Sequence, residues 1–242
     1  MTTPRWVVAM GGGGFSMEPE NTLLDDALLD LARRSRGVER PRVCFIGTAS
    51  GDAEAYIAGF HEAFDRRAEA SHLALFTRTV EDIEAFLLQQ DVVYVGGGNT
   101  ENMLAIWRIH GVDRALRAAW TSGVVMAGLS AGSLCWFEGG TTDSYGPTLS
   151  VLDGGLGFIT GSHCPHYDGE PGRRPLYQQL VAEGRLAAGY AADDGAALVF
   201  RDGELHTVVA SRPEARAYRV ERGSDGAAVE TVLETRYLGA VG

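Results

Sequence analysis

The sequence predicts an α/β fold: a mostly parallel sheet with helices on both faces, finished by antiparallel hairpins at its C-terminal end. Three observations predict it. Short apolar runs alternate with stretches of helical periodicity over the first half of the chain. Glycine-rich turns follow the first, fourth and fifth of those runs, at the strand ends where open parallel sheets gather ligands. From Leu186 onward the helices give way to short alternating runs separated by turns such as Asp202-Gly203. With 242 residues, 45% of them hydrophobic, the chain can bury one substantial core, and no linker, charge block or repeat divides it. Residues 1–242 therefore read as a single domain.

Trp6–Met10 is the first strand, and Gly11-Gly12-Gly13-Gly14-Phe15 the loop after it. That loop lacks the G-x-G-x-x-G spacing and any following Gly-Lys-Ser/Thr, so it reads as a close backbone approach and not as a nucleotide cradle. Asn21 or Thr22 can cap a helix to about Arg34, with Leu24, Leu28 and Leu31 on its apolar stripe. Residues 42–47 form the second strand and 53–68 a helix; 71–76 form the third strand and 80–89 a short helix. The fourth strand, 91–95, ends in Gly96-Gly97-Gly98-Asn99-Thr100, three glycines that free backbone N–H groups to face a site. Helical segments over 102–110 and 112–122 precede the fifth strand. Gly139 to Pro147 is rich in turn formers, 156–160 is strand-like, and 176–183 is helical.

The fifth strand carries the sharpest signal. Val124 to Ala127 is apolar and leads directly into Gly128-Leu129-Ser130-Ala131-Gly132. That is the G-x-S-x-G pattern of a nucleophile elbow, a strained strand-to-helix turn that lifts a serine hydroxyl off the sheet edge. Ala131 would place its N–H where an oxyanion develops, assisted by the start of the next helix.

Composition excludes several other classes. A net charge of −11 argues against a nucleic-acid or anionic membrane surface. No stretch approaches the ~18 apolar residues needed to span a bilayer, and the first ten residues do not resemble a leader. Cys44, Cys135 and Cys164 are odd in number and widely spaced, which suggests reduced thiols and a cytoplasmic setting. Cys164 with His163 and His166 lacks a second cluster to complete a metal site, so no cofactor is expected.

A serine hydroxyl needs a base, and the base an orienting group. Of six histidines, His61, His72, His110 and His206 occupy ordinary helix, strand or hairpin positions, which leaves His163 and His166. His166 follows Pro165 in an extended loop. For the acid, a Ser…Asp…His chain order admits Asp143, between Ser130 and His166, or Asp193 or Asp194 with His206.

Gly96-Gly-Gly-Asn-Thr100, Gly128-Leu-Ser-Ala-Gly132 and Pro165-His166, in that order, resemble the dipeptidase E family of serine peptidases, with cyanophycinase more distant. The resemblance runs from the first strand to about Phe200. It implies a fold like the class I glutamine amidotransferases, with serine in place of their cysteine. It implies Ser130 as nucleophile, His166 as base, and Asp194 in Asp193-Asp194-Gly195 where the family usually has glutamate. Gly98 and Ala131 become the oxyanion donors. Asn99 of the motif is taken as a substrate contact, and Arg173, with Arg174 equally placed, matches the arginine that pairs a substrate carboxylate in the aspartyl-specific members. The implied substrate is a small peptide and the implied assembly a homodimer. An esterase or amidase using the same site, and an idle small-molecule-binding homologue, are the rival readings.

Overall fold

The computed structural model describes residues 3–239. Met1, Thr2 and residues 240–242, the ends of the stretch taken as one domain, lie outside the described residues. Strands and helices alternate as β1 (Trp6–Met10), α1 (Leu23–Arg36), β2 (Arg42–Ile46), α2 (Glu54–Phe64), β3 (Glu69–Leu73), α3 (Ile83–Leu88), β4 (Val92–Val95), α4 (Thr100–His110), α5 (Val112–Thr121) and β5 (Val125–Leu129). A short helix α6 (Ala131–Leu134) follows. Then come β6 (Phe137–Thr142), β7 (Ser150–Asp153), β8 (Ile159–Cys164), α7 (Arg173–Ala182), β9 (Gly189–Ala192), β10 (Ala196–Arg201), β11 (Glu204–Ala210), β12 (Ala217–Arg222), β13 (Ala228–Val232) and β14 (Thr235–Tyr237).

These strands build two sheets where the sequence led us to expect one. The eight-stranded sheet runs β14-β11-β10-β1-β5-β4-β2-β3. Its β1, β5, β4, β2 and β3 are parallel neighbours, while β10 returns antiparallel on the other side of β1. The six-stranded sheet runs β13-β12-β9-β8-β6-β7, with β6, β8 and β9 parallel and the flanking strands antiparallel. The C-terminal hairpins are present as β10–β11 and β12–β13, but β14 joins β11 in parallel.

Burial explains why the parallel strands read as unbroken apolar runs: both of their faces are covered. Along β1, Val7 and Ala9 join a core with Leu104, Trp107 and Leu116 of α4 and α5. Val8 and Met10 point the other way, into a core with Leu28, Phe60 and Phe64 of α1 and α2. A third cluster packs Tyr177, Leu180 and Val181 of α7 against Ala191, Tyr218 and Val220 of the second sheet. Among the described residues no helix is long and apolar enough to cross a membrane.

Sheet order fixes the site. Strand β1 is central, flanked by β5 on one side and β10 on the other, so its C-terminal loop lies between the elbow after β5 and the turn before β10. The loop after β4 is the next strand end along.

Candidate active site

Ser130 sits between β5 and α6 with φ 55 and ψ −118. Non-glycine residues rarely hold a positive φ, and those that do cluster where function pays for strain. Four described non-glycine residues do so: Asp52, Ser130, His166 and Asp202. Two of the four are therefore the serine and the histidine singled out from the sequence. Ser130 is half-buried, and its hydroxyl makes no hydrogen bond among the described residues, to His166 or to any other group.

His166 lies in the loop after β8, and its Nδ1 is 2.6 Å from Asp194 Oδ1. Both side chains are largely covered, at 12% and 15% exposure, so the contact is shielded from water. A carboxylate accepts only, so Nδ1 is the donor, and the neutral form of the ring would then present its lone pair at Nε2 on the opposite side. The hydrogen bond from His166 holds the Asp194 carboxyl below the usual carboxylate range, partly offset by burial. The backbone N–H of Asp194 donates to Asp168 Oδ1 at 2.8 Å, tying the acid to the loop that carries the ring.

The loop after β1 assembles the three. The Met10 carbonyl accepts the Ser130 N–H at 3.2 Å, and the Gly11 carbonyl accepts the His166 N–H at 3.2 Å. The Gly12 carbonyl accepts the Gly195 N–H at 3.0 Å, and Gly12 bridges to Asp194. Three consecutive carbonyls thus hold the backbones of serine, histidine and acid turn. Glycine is required at 12 because a Cβ there would lie 2.9 Å from Asp194 Cγ and 3.0 Å from His166 Cε1.

The loop after β4 leaves one N–H without an acceptor. Gly96 N–H donates to the Ile46 carbonyl at 3.1 Å, Gly97 N–H to the Tyr56 phenol at 3.1 Å, and Asn99 N–H to the Ala49 carbonyl at 2.8 Å. Gly98 N–H, between them, has no partner among the described residues, and Gly98 is exposed. With φ +136, and with the Ala49 carbonyl where a Cβ would project, no side chain fits at 98. A Cβ on Gly97 would stand 3.3 Å from Ser130 Cβ, so this loop lies against the serine. Ala131 N–H opens α6 as its first residue, where an intrahelical acceptor is lacking.

Other candidates are placed elsewhere. Asp143 is exposed in the β6–β7 turn, and no hydrogen bond joins it to His166 among the described residues. Asp193 turns inward; its Oδ2 accepts from the Arg216 N–H at 3.0 Å and the Tyr218 hydroxyl at 3.2 Å, and burial pushes its carboxyl up to about 6. His163, fully buried, stacks on Phe137 and sits between Ser133 Oγ at 3.1 Å and the Tyr190 carbonyl at 3.1 Å. Burial pushes its imidazole down to about 3, so it stays neutral.

The two residues read as substrate contacts are committed internally. Arg173 is 4% exposed; its Nε donates to Glu170 Oε2 at 2.7 Å, its Nη2 to Glu170 Oε1 at 3.3 Å, and its Nη1 to the Thr141 carbonyl at 3.2 Å. Glu170 fills the guanidinium fork where a substrate carboxylate would have to lie. Arg174 is paired with Glu230 and lies over the rings of Tyr167 and Tyr218. Asn99 caps α4, its Oδ1 accepting the Asn102 N–H at 2.9 Å while its Nδ2 donates to the Ser144 carbonyl at 2.9 Å. Asp168 and Tyr56 escaped the sequence reading. Asp168 stands two residues after His166 and could have been weighed, whereas Tyr56 reaches its loop only through the fold.

The sequence model of peptidase family S51 matches residues 7–208. The uncharacterized peptidase YgaJ of Bacillus subtilis (strain 168) is 51% identical over 236 residues, covering 97% of this chain and 100% of its own. Among solved structures, a peptidase from an acI-B1 Actinobacterium is similar with a TM-score of 0.68 at 17% identity, over 97% of this chain and 96% of that one. A Listeria monocytogenes EGD-e protein is similar with a TM-score of 0.58 at 17% identity, over 96% and 100%. At that identity the two structures speak for the fold.

Proposed function

Because the chain belongs to peptidase family S51 and is a serine-type peptidase, we propose that it hydrolyses small peptides with Ser130 as nucleophile, His166 as base and Asp194 as the orienting acid. The observation that carries this reading is the 2.6 Å contact from His166 to Asp194 on the loop that also holds the Ser130 backbone. Substrate binding would turn the unbonded Ser130 hydroxyl toward His166 Nε2, since such contacts often tighten only once substrate is in place. Nε2 takes the hydroxyl proton as Oγ attacks the peptide carbonyl. The Gly98 and Ala131 N–H groups receive the developing oxyanion, each such donor being worth roughly 10²–10³ in turnover. Nε2 then returns the proton to the leaving amine, and water releases the acyl group by the same route in reverse order. Asp194 fixes the tautomer and stabilises the imidazolium that forms between the two proton transfers.

We read the arrangement as class I glutamine amidotransferase-like, working as one domain across 1–242 in a reducing, cytoplasmic setting. Since Glu170 and Glu230 occupy Arg173 and Arg174, this reading does not require an N-terminal aspartate on the peptide. The test is covalent labelling. Wild type should react with a fluorophosphonate probe and Ser130→Ala, folded by circular dichroism, should not; equal labelling of both would remove Ser130 as nucleophile.

A further inference from the structure

The open N–H of Gly98 has a cause outside its own loop. Three of the four N–H groups from Gly96 to Asn99 are drawn onto fixed acceptors, and two of those acceptors are backbone carbonyls, Ile46 and Ala49. The third is a side chain, the phenol of Tyr56 on α2. A peptide unit is planar, so holding the units on both sides of it fixes its two Cα ends and leaves it one motion, rotation about the axis between them. The N–H of 97 and of 99 are both held, so the unit that carries the N–H of 98 is anchored at both ends.

We propose that Tyr56 is the positioning residue of the oxyanion loop, its phenol oxygen accepting the Gly97 N–H so that the Gly98 N–H faces the space before Ser130. The proposal rests on the reading of Ser130 as nucleophile and adds a residue some forty positions upstream of the loop it controls.

The setting of Tyr56 suits that task. Its ring is locked between Phe45, with centroids 4.9 Å apart, and Phe15, at 5.6 Å. Phe15 also contacts Phe60 and Phe64, so this aromatic cluster needs only hydrocarbon to pack. A phenylalanine at 56 would serve the packing equally well, and the hydroxyl is therefore the part left to explain. Burial raises the phenol above its ordinary value. It thus remains a neutral phenol throughout any assay range, with lone pairs to offer an N–H. Phe15 ends the glycine loop whose carbonyls hold Ser130, His166 and the acid turn, so one ring braces both loops of the site.

The substitution Tyr56→Phe keeps the ring and removes only the acceptor. We expect the second-order rate of fluorophosphonate labelling to fall about tenfold, because that reaction also develops charge on an oxygen held by the same donors. On the best-cleaved member of a dipeptide library, kcat should fall by a similar factor with KM within twofold. The pH midpoint of labelling should stay at the wild-type position, since the contact between His166 and Asp194 is untouched. Wild-type labelling with an unchanged Tyr56→Phe rate would overturn the positioning role while leaving the nucleophile in place. A lowered rate accompanied by a shifted midpoint would overturn it too, showing a loosened site and not a misdirected N–H. Absence of labelling in wild type itself would instead remove the underlying reading of Ser130.

Discussion

Two glycine-rich loops meet at this site, and they serve it in opposite senses. The loop after β1 spends its acceptors: the carbonyls of Met10, Gly11 and Gly12 each take an N–H from a segment that carries a candidate group. The loop after β4 spends its donors on all sides of one residue and leaves Gly98 N–H open. On the proposed reading the first loop is scaffold and the second supplies a donor. Both need glycine, but for different reasons: at 12 because two side chains crowd its Cα, at 98 because the backbone is left-handed and faces a carbonyl. Composition alone makes the two stretches look interchangeable.

Substitution at each loop should separate these roles. The largest effect is expected from Gly12→Ala, whose methyl would be driven into the Asp194 carboxylate and the His166 ring. Turnover should fall by about 10⁴, comparable with losing the orienting acid of a triad, and the low-field NMR signal of the His166 Nδ1 proton should vanish. Gly98→Ala should cost less, about 10²–10³ in kcat, with that NMR signal retained. If both variants kept the signal, or both lost it, the division of labour between the loops would be wrong.

The last prediction concerns stability and not turnover, and what lies under the first loop. Asp25 on α1 is buried, beside Tyr94 and the backbone of Phe15, and burial pushes its carboxyl up to about 7. Unfolded, it loses its proton near 3.8; folded, it keeps that proton to about 7. Between those values unfolding releases a proton, so this group lowers stability as pH rises, and the loss is complete above 7. Asp25→Asn should therefore match wild type near pH 4 and exceed it by on the order of 4 kcal/mol at pH 8. Urea titrations at the two pH values would check the sign; a gap that closes with rising pH would contradict it.

The parts legible in the sequence were those written locally. Strand β5 and its elbow announce themselves in eight consecutive residues, and the alternation of apolar runs with helices needs no knowledge of what pairs with what. The second sheet was illegible for the converse reason. Gly139 and Gly140 look like turn residues, yet they pair with Asp153 and Leu152 inside β6–β7, and Gly140 pairs with His163 across β6–β8. Those pairings are decided by distant partners and override local propensity. Asp194 was named through the family resemblance alone, because nothing local in the turn between β9 and β10 says which of Asp193 and Asp194 faces the ring. The occupation of Arg173, in contrast, had a visible sign: Glu170 stands three residues earlier, the spacing of a local ion pair.

The carbonyls at the end of the first strand have a consequence for the order of events in the cell. Gly11 N–H reaches the Ala196 carbonyl, and Gly12 accepts from Gly195, so the acid is delivered only when β10 has zipped onto β1. Those strands, Trp6–Met10 and Ala196–Arg201, are separated by most of the sequence. On the proposed reading, a growing polypeptide still short of that tenth strand has Ser130 but not Asp194 to orient its base. Hydrolytic power would, on that reading, arrive only after the chain has been made past residue 201, and a shorter nascent chain would be spared from cutting its neighbours or itself.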